Sequence, residues 1–232
     1  MKKKIRNIFL RITFLVIILQ FLSSFLYVNF FGLSLYTKEQ YFEKEGHKVI
    51  LLGTAHVGEY NYYKSLKKDR ESLFFLKEGV QGIPKESLGN NHQLWADRLG
   101  LIAQNDKTFE GFRGINSDIN ISEIDPESSR NLELLIFASE SSDNFEIAKE
   151  EWKETNFSLK EFYQEFVLKR NKIIKKNIIK NQDKDLIIPW GALHHNDLED
   201  FLISEGYSKT GTKYHKVFSF PTLLLRKILS FF

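Results

Sequence analysis

Twice in this chain a short apolar run stops on a glycine and then presents a histidine, and that repeated figure limits what the chain can fold into more than any other feature. Lys48 to His56 reads Lys-Val-Ile-Leu-Leu-Gly-Thr-Ala-His. Val49 to Leu52 has the length and unbroken apolar character of a buried strand, and Gly53 marks a turn or a close backbone approach. Asp185 to His194, Asp-Leu-Ile-Ile-Pro-Trp-Gly-Ala-Leu-His, repeats the form with Gly191 and His194. Strands carrying the same figure are natural neighbours in one sheet, where both histidines emerge at one edge, the usual position of α/β sites. One histidine past a strand is most simply a satisfied structural residue; two in the same figure argue for function at His56 and His194 together. Superposing the figures puts His194 on His56 and His195 on Val57, so His194 is the expected ligand and His195 points away.

With 232 residues and 42% hydrophobic content there is enough chain for a single sizeable core around these strands. The net charge of +3 is small and local, gathered at the N-terminus and on one long helix, and gives no argument for a nucleic-acid partner. Cysteine is absent, which excludes disulfides and thiolate metal sites. Any metal must then use His and carboxylate ligands.

The first 36 residues differ in kind from the rest. Between Ile8 and Tyr36 the only charge is Arg11, and Ile12 to Gly32 supplies about twenty mostly apolar residues, enough to span a bilayer as a helix. A cleaved signal peptide is the rival reading, but bulky Phe, Leu and Tyr fill the region where small residues would mark a cleavage site. Lys2, Lys3, Lys4, Arg6 and Arg11 precede the span or sit at its start. The positive-inside rule then keeps the N-terminus cytoplasmic and sends the rest to the periplasm or outer surface, as a single-pass protein held among membrane lipids. Residues 37–218 are expected to form an α/β domain. In the tail, residues 219–232, Leu223, Leu224, Leu225, Ile228, Leu229, Phe231 and Phe232 surround Arg226 and Lys227. That suits a helix lying in the membrane interface, with core packing as the alternative.

Within the domain, Tyr36 to Gly46 reads as a polar connection and Gly58 to Lys68 as a helix over the sheet edge. Ser72 to Leu76 predicts a second strand, with Glu78 just beyond it. A carboxylate there costs stability unless it meets a cation, a metal or a donor; a surface carboxylate beside Lys77 is the alternative. The spacing of Leu94, Trp95, Leu99 and Ile102 predicts a helix over His92 to Asn105. Phe112 to Asp125 predicts a strand or extended arm leading to a helix near Pro126, with Asp118 better read as a turn or cap than as a site residue. Ser158 and Glu161 have capping-box spacing and open a long helix to about Lys180. Arg170 falls on its inward stripe with Phe166 and Ile174, and a buried arginine wants a carboxylate or phosphate partner. Glu78 is the best candidate. Asn196 to Glu205 reads as a short helix stopped by Gly206, and Lys213 to Phe218 as an edge strand.

With these residues in hand, the chain resembles the TraB/GumN family, which is similar to the Tiki proteins and more distantly to erythromycin-esterase-like and ChaN-like groups. The resemblance covers roughly Val49 to Tyr207. It rests on Leu-Gly-Thr-Ala-His at Leu52 to His56, Glu-Gly-Val at Glu78 to Val80, Leu-Gly-Leu-Ile-Ala-Gln at Leu99 to Gln104, Arg-Asn at Arg170 and Asn171, and Gly-Ala-Leu-His before a helix ending Glu-Gly-Tyr at Glu205 to Tyr207. It implies a central mixed β-sheet flanked by helices on both faces and, from the Tiki relatives, a metal-dependent peptidase. Carried over, His56 and His194 would be metal ligands, Glu78 a ligand or general base, and Arg170 a neighbouring cation orienting the carboxylate or an oxyanion. The ion would be divalent, with Zn, Mn and Co as options, and the substrate a peptide or protein. Pro189 and Trp190 depart from the plain hydrophobic strand end the resemblance leads one to expect. Two imidazoles and a carboxylate leave positions open for a bound water whose pKa can fall to about 7. A non-catalytic protein that captures a peptide or signal at the membrane, as pheromone-shutdown relatives do, is the competing class. A structural envelope protein whose histidines only cap strands is the third. The sequence leaves oligomeric state open.

Overall fold

The β-structure follows from pairing the two apolar runs. In the computed structural model, which describes residues 35–82, 93, 96–97, 100–104, 106–138, 142–154 and 158–219, β2 (His47–Thr54) lies parallel to β7 (Leu186–Gly191), with Val49 opposite Leu186 and Thr54 opposite Gly191. The two strand-Gly-x-x-His figures are thus side by side. Beyond β7 come β4 (Phe74–Lys77) and then β6 (Gly114–Asn116), both parallel. On the other side of β2, β1 (Tyr36–Lys44) and β8 (Ser208–Lys216) add two antiparallel strands, giving a six-stranded sheet in the order β6-β4-β7-β2-β1-β8. The architecture is α/β, a mixed central sheet flanked by helices. Two short strands, β3 (Val57–Gly58) and β5 (Ile102–Ala103), pair in a separate ladder just past His56.

The described helices are α1 (Tyr60–Lys67), α2 (Pro126–Ala138), α3 (Ser142–Glu154), α4 (Leu159–Tyr163), α5 (Arg170–Lys180) and α6 (His195–Ser204). Alternate strand residues share a face. Val49 and Leu51 of β2, Leu186, Ile188 and Trp190 of β7, and Leu76 of β4 are fully buried in one cluster with Ile174 and Ile178 of α5 and Leu198 and Leu202 of α6. Each such side chain contributes about 1.5–3 kcal/mol by leaving water. This packing fixes α5 and α6 against β7 and so positions whatever their N-terminal residues carry.

Two expectations are corrected. Tyr36 to Gly46 is a connection only at its end: β1 occupies Tyr36–Lys44, and Glu45 and Gly46, both at positive φ, make the two-residue turn into β2. Its inward positions include Thr37, Glu39 and Gln40, and their polarity hides the strand. Glu39 is tolerated inside because Arg70 Nη2 donates to its Oε1 at 2.8 Å and His215 Nε2 donates to its Oε2. These partners outweigh the burial that would raise its pKa and hold it at about 2. The helix predicted over His92–Asn105 does not run to its end. Gln93, Ala96 and Asp97 are helical, but Gly100 at φ +60 stops the turn and Ile102–Ala103 is the strand paired with Val57–Gly58. The remaining residues of that helix, the membrane span and almost all of the apolar tail lie outside the described residues. Among the described residues no helix is long and apolar enough to cross a membrane.

Candidate functional site

Four parallel strands end on the same edge of the sheet, and the residues that follow them supply the site: His56 after β2, Glu78 after β4, Asp118 after β6 and His194 after β7. Arg170 reaches this edge from α5. Directly before it the helix widens into a π-helical stretch, Gln164–Lys169, a device that shifts side-chain register and is frequent at functional sites.

Arg170 is the hub. Its Nη2 donates to Glu78 Oε1 at 2.8 Å and to Asp118 Oδ2 at 2.5 Å, and its Nε donates to Asp118 Oδ1 at 2.9 Å. The Asp118 contact is the bidentate fork that a planar guanidinium favours. Side-chain exposures of 12% for Arg170, 9% for Glu78 and 0% for Asp118 put this ionic group out of water. Backbone donors complete it. Gly191 N–H donates to Glu78 Oε2 at 2.7 Å, Gly79 N–H to Asp118 Oδ2 at 2.9 Å, and Ile119 N–H to Asp118 Oδ1 at 2.8 Å. Burial alone would raise the Glu78 pKa, but the charge of Arg170, helped by His194, His56 and the Gly191 amide, holds it at about 2. Burial would likewise lower the Arg170 pKa, and the two carboxylates push it up instead. At neutral pH Glu78 is therefore a fixed anion. It can hold a cation or orient a donor, and it is a weak proton acceptor.

His194 meets this group from the short helical turn Ala192–His194. Its Nε2 lies 3.7 Å from Glu78 Oε1 and 3.4 Å from Arg170 Nη1, while its Nδ1 is hydrogen-bonded to Asn171 Oδ1 at 2.6 Å. Burial, opposed by Glu78 and reinforced by Arg170, lowers its pKa to about 4, so the ring is neutral at pH 7. Trp190 forms a wall of the site, its ring edge-on to His194 at 4.9 Å and 5.3 Å from the Arg170 guanidinium carbon. His195 is turned elsewhere: its Nε2 donates to Trp190 O at 3.2 Å. Its Cε1 would stand 3.1 Å from a Cβ built on Gly53, a position that also brings Lys38 O to 2.9 Å. Gly53 is required because the neighbouring strand and the His195 ring close over it. His56 is exposed at the end of β2, its carbonyl accepting from Gln104 N–H at 2.7 Å.

The structure thus brings Glu78, Arg170 and His194 into direct contact and leaves His56 at the rim. Asp118, read from sequence as a turn or cap, does accept local backbone bonds but is also the closest partner of Arg170. Asn171 was legible only as half of an Arg-Asn dipeptide, and Asp197, which binds it, gave no signal beyond its place early in a helix. Two further buried atoms, Thr54 Oγ1 and Ser117 Oγ, have no protein partner among the described residues. Both belong to strand ends at this edge, and a buried water would satisfy them.

His194 Nε2 and Glu78 Oε1 put a neutral ring nitrogen and an ionised carboxylate on one spot, a donor pair that suits a divalent ion. His194 also carries the second hydrogen bond that metal-binding imidazoles use to fix their orientation. Among the described residues no three His, Asp or Glu side chains stand close enough together to hold a metal. Comparison of the chain with protein-family models, with curated proteins and with solved structures finds no significant match.

Proposed function

We propose that this protein is a membrane-anchored, metal-dependent hydrolase of peptide bonds, similar in its site to the TraB/GumN and Tiki proteins, with its α/β domain on the non-cytoplasmic side. The observation that carries the reading is the convergence of His194 Nε2 on Glu78 Oε1 at a sheet edge where two buried carboxylates share one guanidinium. With His194 neutral, that group has one formal negative charge more than Arg170 balances. Backbone N–H groups offset part of that charge, and a bound cation would balance the rest. His194 and Glu78 would hold the ion, with His56 drawn in from the rim to complete the set, and the bound ion would supply a Lewis acid and an activated water. Arg170 keeps Glu78 ionised and aimed, and Trp190 closes one side against solvent.

A second reading, non-catalytic capture of a peptide or signal, is favoured by how fully Arg170 and Gly191 N–H already occupy Glu78. One experiment separates the two. Purified protein is incubated with a defined mixture of unstructured peptides and Zn, Mn or Co, and the products are read by mass spectrometry. The proposal expects cleavage that chelation stops and that Glu78→Gln and His194→Ala both abolish. Peptide retention without cleavage, under every metal, would establish the binding reading instead.

A further inference from the structure

Beneath His194 lies a chain of hydrogen bonds whose donors and acceptors admit one arrangement. Lys175 Nζ, which can only donate, is 2.8 Å from Asp197 Oδ1. Ionised Asp197 can only accept, and its Oδ2 is 2.7 Å from the Asn171 side-chain amide. Asn171 must therefore turn its Nδ2 to Asp197, which leaves Oδ1 facing His194 Nδ1 at 2.6 Å. An amide oxygen can only accept, so the proton of the neutral ring sits on Nδ1. The Nε2 lone pair then faces Arg170 Nη1 and Glu78. Asn171 is fully buried, whereas Lys175 and Asp197 have side-chain exposures of 26% and 28%. The chain thus runs from the protein surface to the site, across α5 and the start of α6.

We propose that Asn171 is a positioning residue that sets the tautomer of His194, and that Asp197 and Lys175 in turn set the orientation of Asn171. The inference deepens the functional reading above, in which the bare Nε2 of His194 meets the ion or substrate. Neither Asn171 nor Asp197 touches that nitrogen. They act through the ring, and the device is directional: reversing one member reverses the rest. An asparagine at position 197 has a single oxygen, which Lys175 would claim. Its NH2 group would then face Asn171, which must turn its oxygen outward and present Nδ2 to His194. Nδ1 becomes the acceptor, the ring proton moves to Nε2, and the lone pair is withdrawn from the site.

The test reads the ring directly and needs neither metal nor substrate. Full-length protein labelled with 15N at histidine is examined at neutral pH by long-range proton–nitrogen correlation, with the His194 signals assigned by their loss in His194→Gln. The parent should show a protonated, pyrrole-type Nδ1 and a bare, pyridine-type Nε2. Asp197→Asn, at a half-exposed position that leaves the core untouched, should exchange the two signatures. Asn171→Leu, which removes the acceptor, should give an average of both tautomers. A parent ring protonated on Nε2, or an Nδ1–H signature unchanged in Asp197→Asn, would overturn the proposal, and the second result decides it even where Asn171→Leu does not fold. Because tautomer and metal binding are measured separately, a protein that binds no metal but shows the exchange refutes the hydrolase and leaves the positioning chain standing.

Discussion

Asp118 gives both carboxylate oxygens to Arg170 and has no exposed side-chain surface, while Glu78 gives one oxygen to the same guanidinium. Removing Arg170 would leave two buried carboxylates with backbone donors alone. Breaking a buried pair on one side costs about 3–5 kcal/mol, so Arg170→Ala should lose at least that much in urea unfolding; a variant as stable as its parent would show that the guanidinium is not what compensates the carboxylates. The titrating groups also give stability a signed pH dependence. His194 and His195 are both lowered by burial from the ordinary 6.5 to about 4. The unfolded chain therefore binds protons first, and the stability these rings contribute is full above about pH 6.5 and lost as pH falls toward 4. Glu78 and Glu39, held at about 2 against an ordinary 4.5, contribute stability that is present above 4.5 and lost as pH falls toward 2. A melting series should show the midpoint already falling between pH 6.5 and 4.5, above the window of these carboxylates, with a shallower fall in His194→Gln. A flat midpoint between pH 6.5 and 4 would contradict the buried, neutral imidazoles.

At the scale of the element, what the sequence made legible was whatever followed from apolar runs and their breaks. β2, β7 and the placement of Glu78 just beyond β4 came from continuous apolar stretches, and Arg170's inward aim from helical spacing with Phe166 and Ile174. Ser158 caps as its spacing predicts, accepting from Glu161 N–H at 3.3 Å. β1 was missed because its buried Glu39 is compensated by Arg70 and His215, residues far away in the chain whose contact no local pattern announces. Asp118 was undervalued for the same reason, since a turn carboxylate and an arginine's partner look alike until β6 is set beside β4. Gly53 invites an element-level prediction. A methyl group there would meet the β1 backbone at Lys38 and the His195 ring, and overpacking of this kind costs about 1–3 kcal/mol. Gly53→Ala should lower the unfolding free energy measured in urea by that amount and Gly53→Val by more, and variants as stable as the parent would show that β1 and His195 are free to move.

The parallel order of β6, β4, β7 and β2 accounts for the site: it delivers four strand ends to one edge, and α5, anchored by Ile174 and Ile178, carries Arg170 and Asn171 to meet them, while α6, anchored by Leu198 and Leu202, carries Asp197. In the proposed orientation, the basic residues ahead of the apolar N-terminal stretch stay cytoplasmic and this domain lies on the other side, so a reporter fused after Phe232 should read as non-cytoplasmic, and a cytoplasmic signal would reverse the proposal. In the proposed function, His194 and Glu78 form one half of a divalent-ion site completed by His56. Isothermal calorimetry of Zn, Mn or Co binding to the purified protein decides whether that site exists. A single binding event is expected, which His194→Ala and His56→Ala each abolish, while loss of the His195 ring, which is turned toward Trp190, in His195→Ala weakens it by no more than about tenfold. Equally tight binding by all three variants, or a parent protein that binds none of these ions, would contradict it.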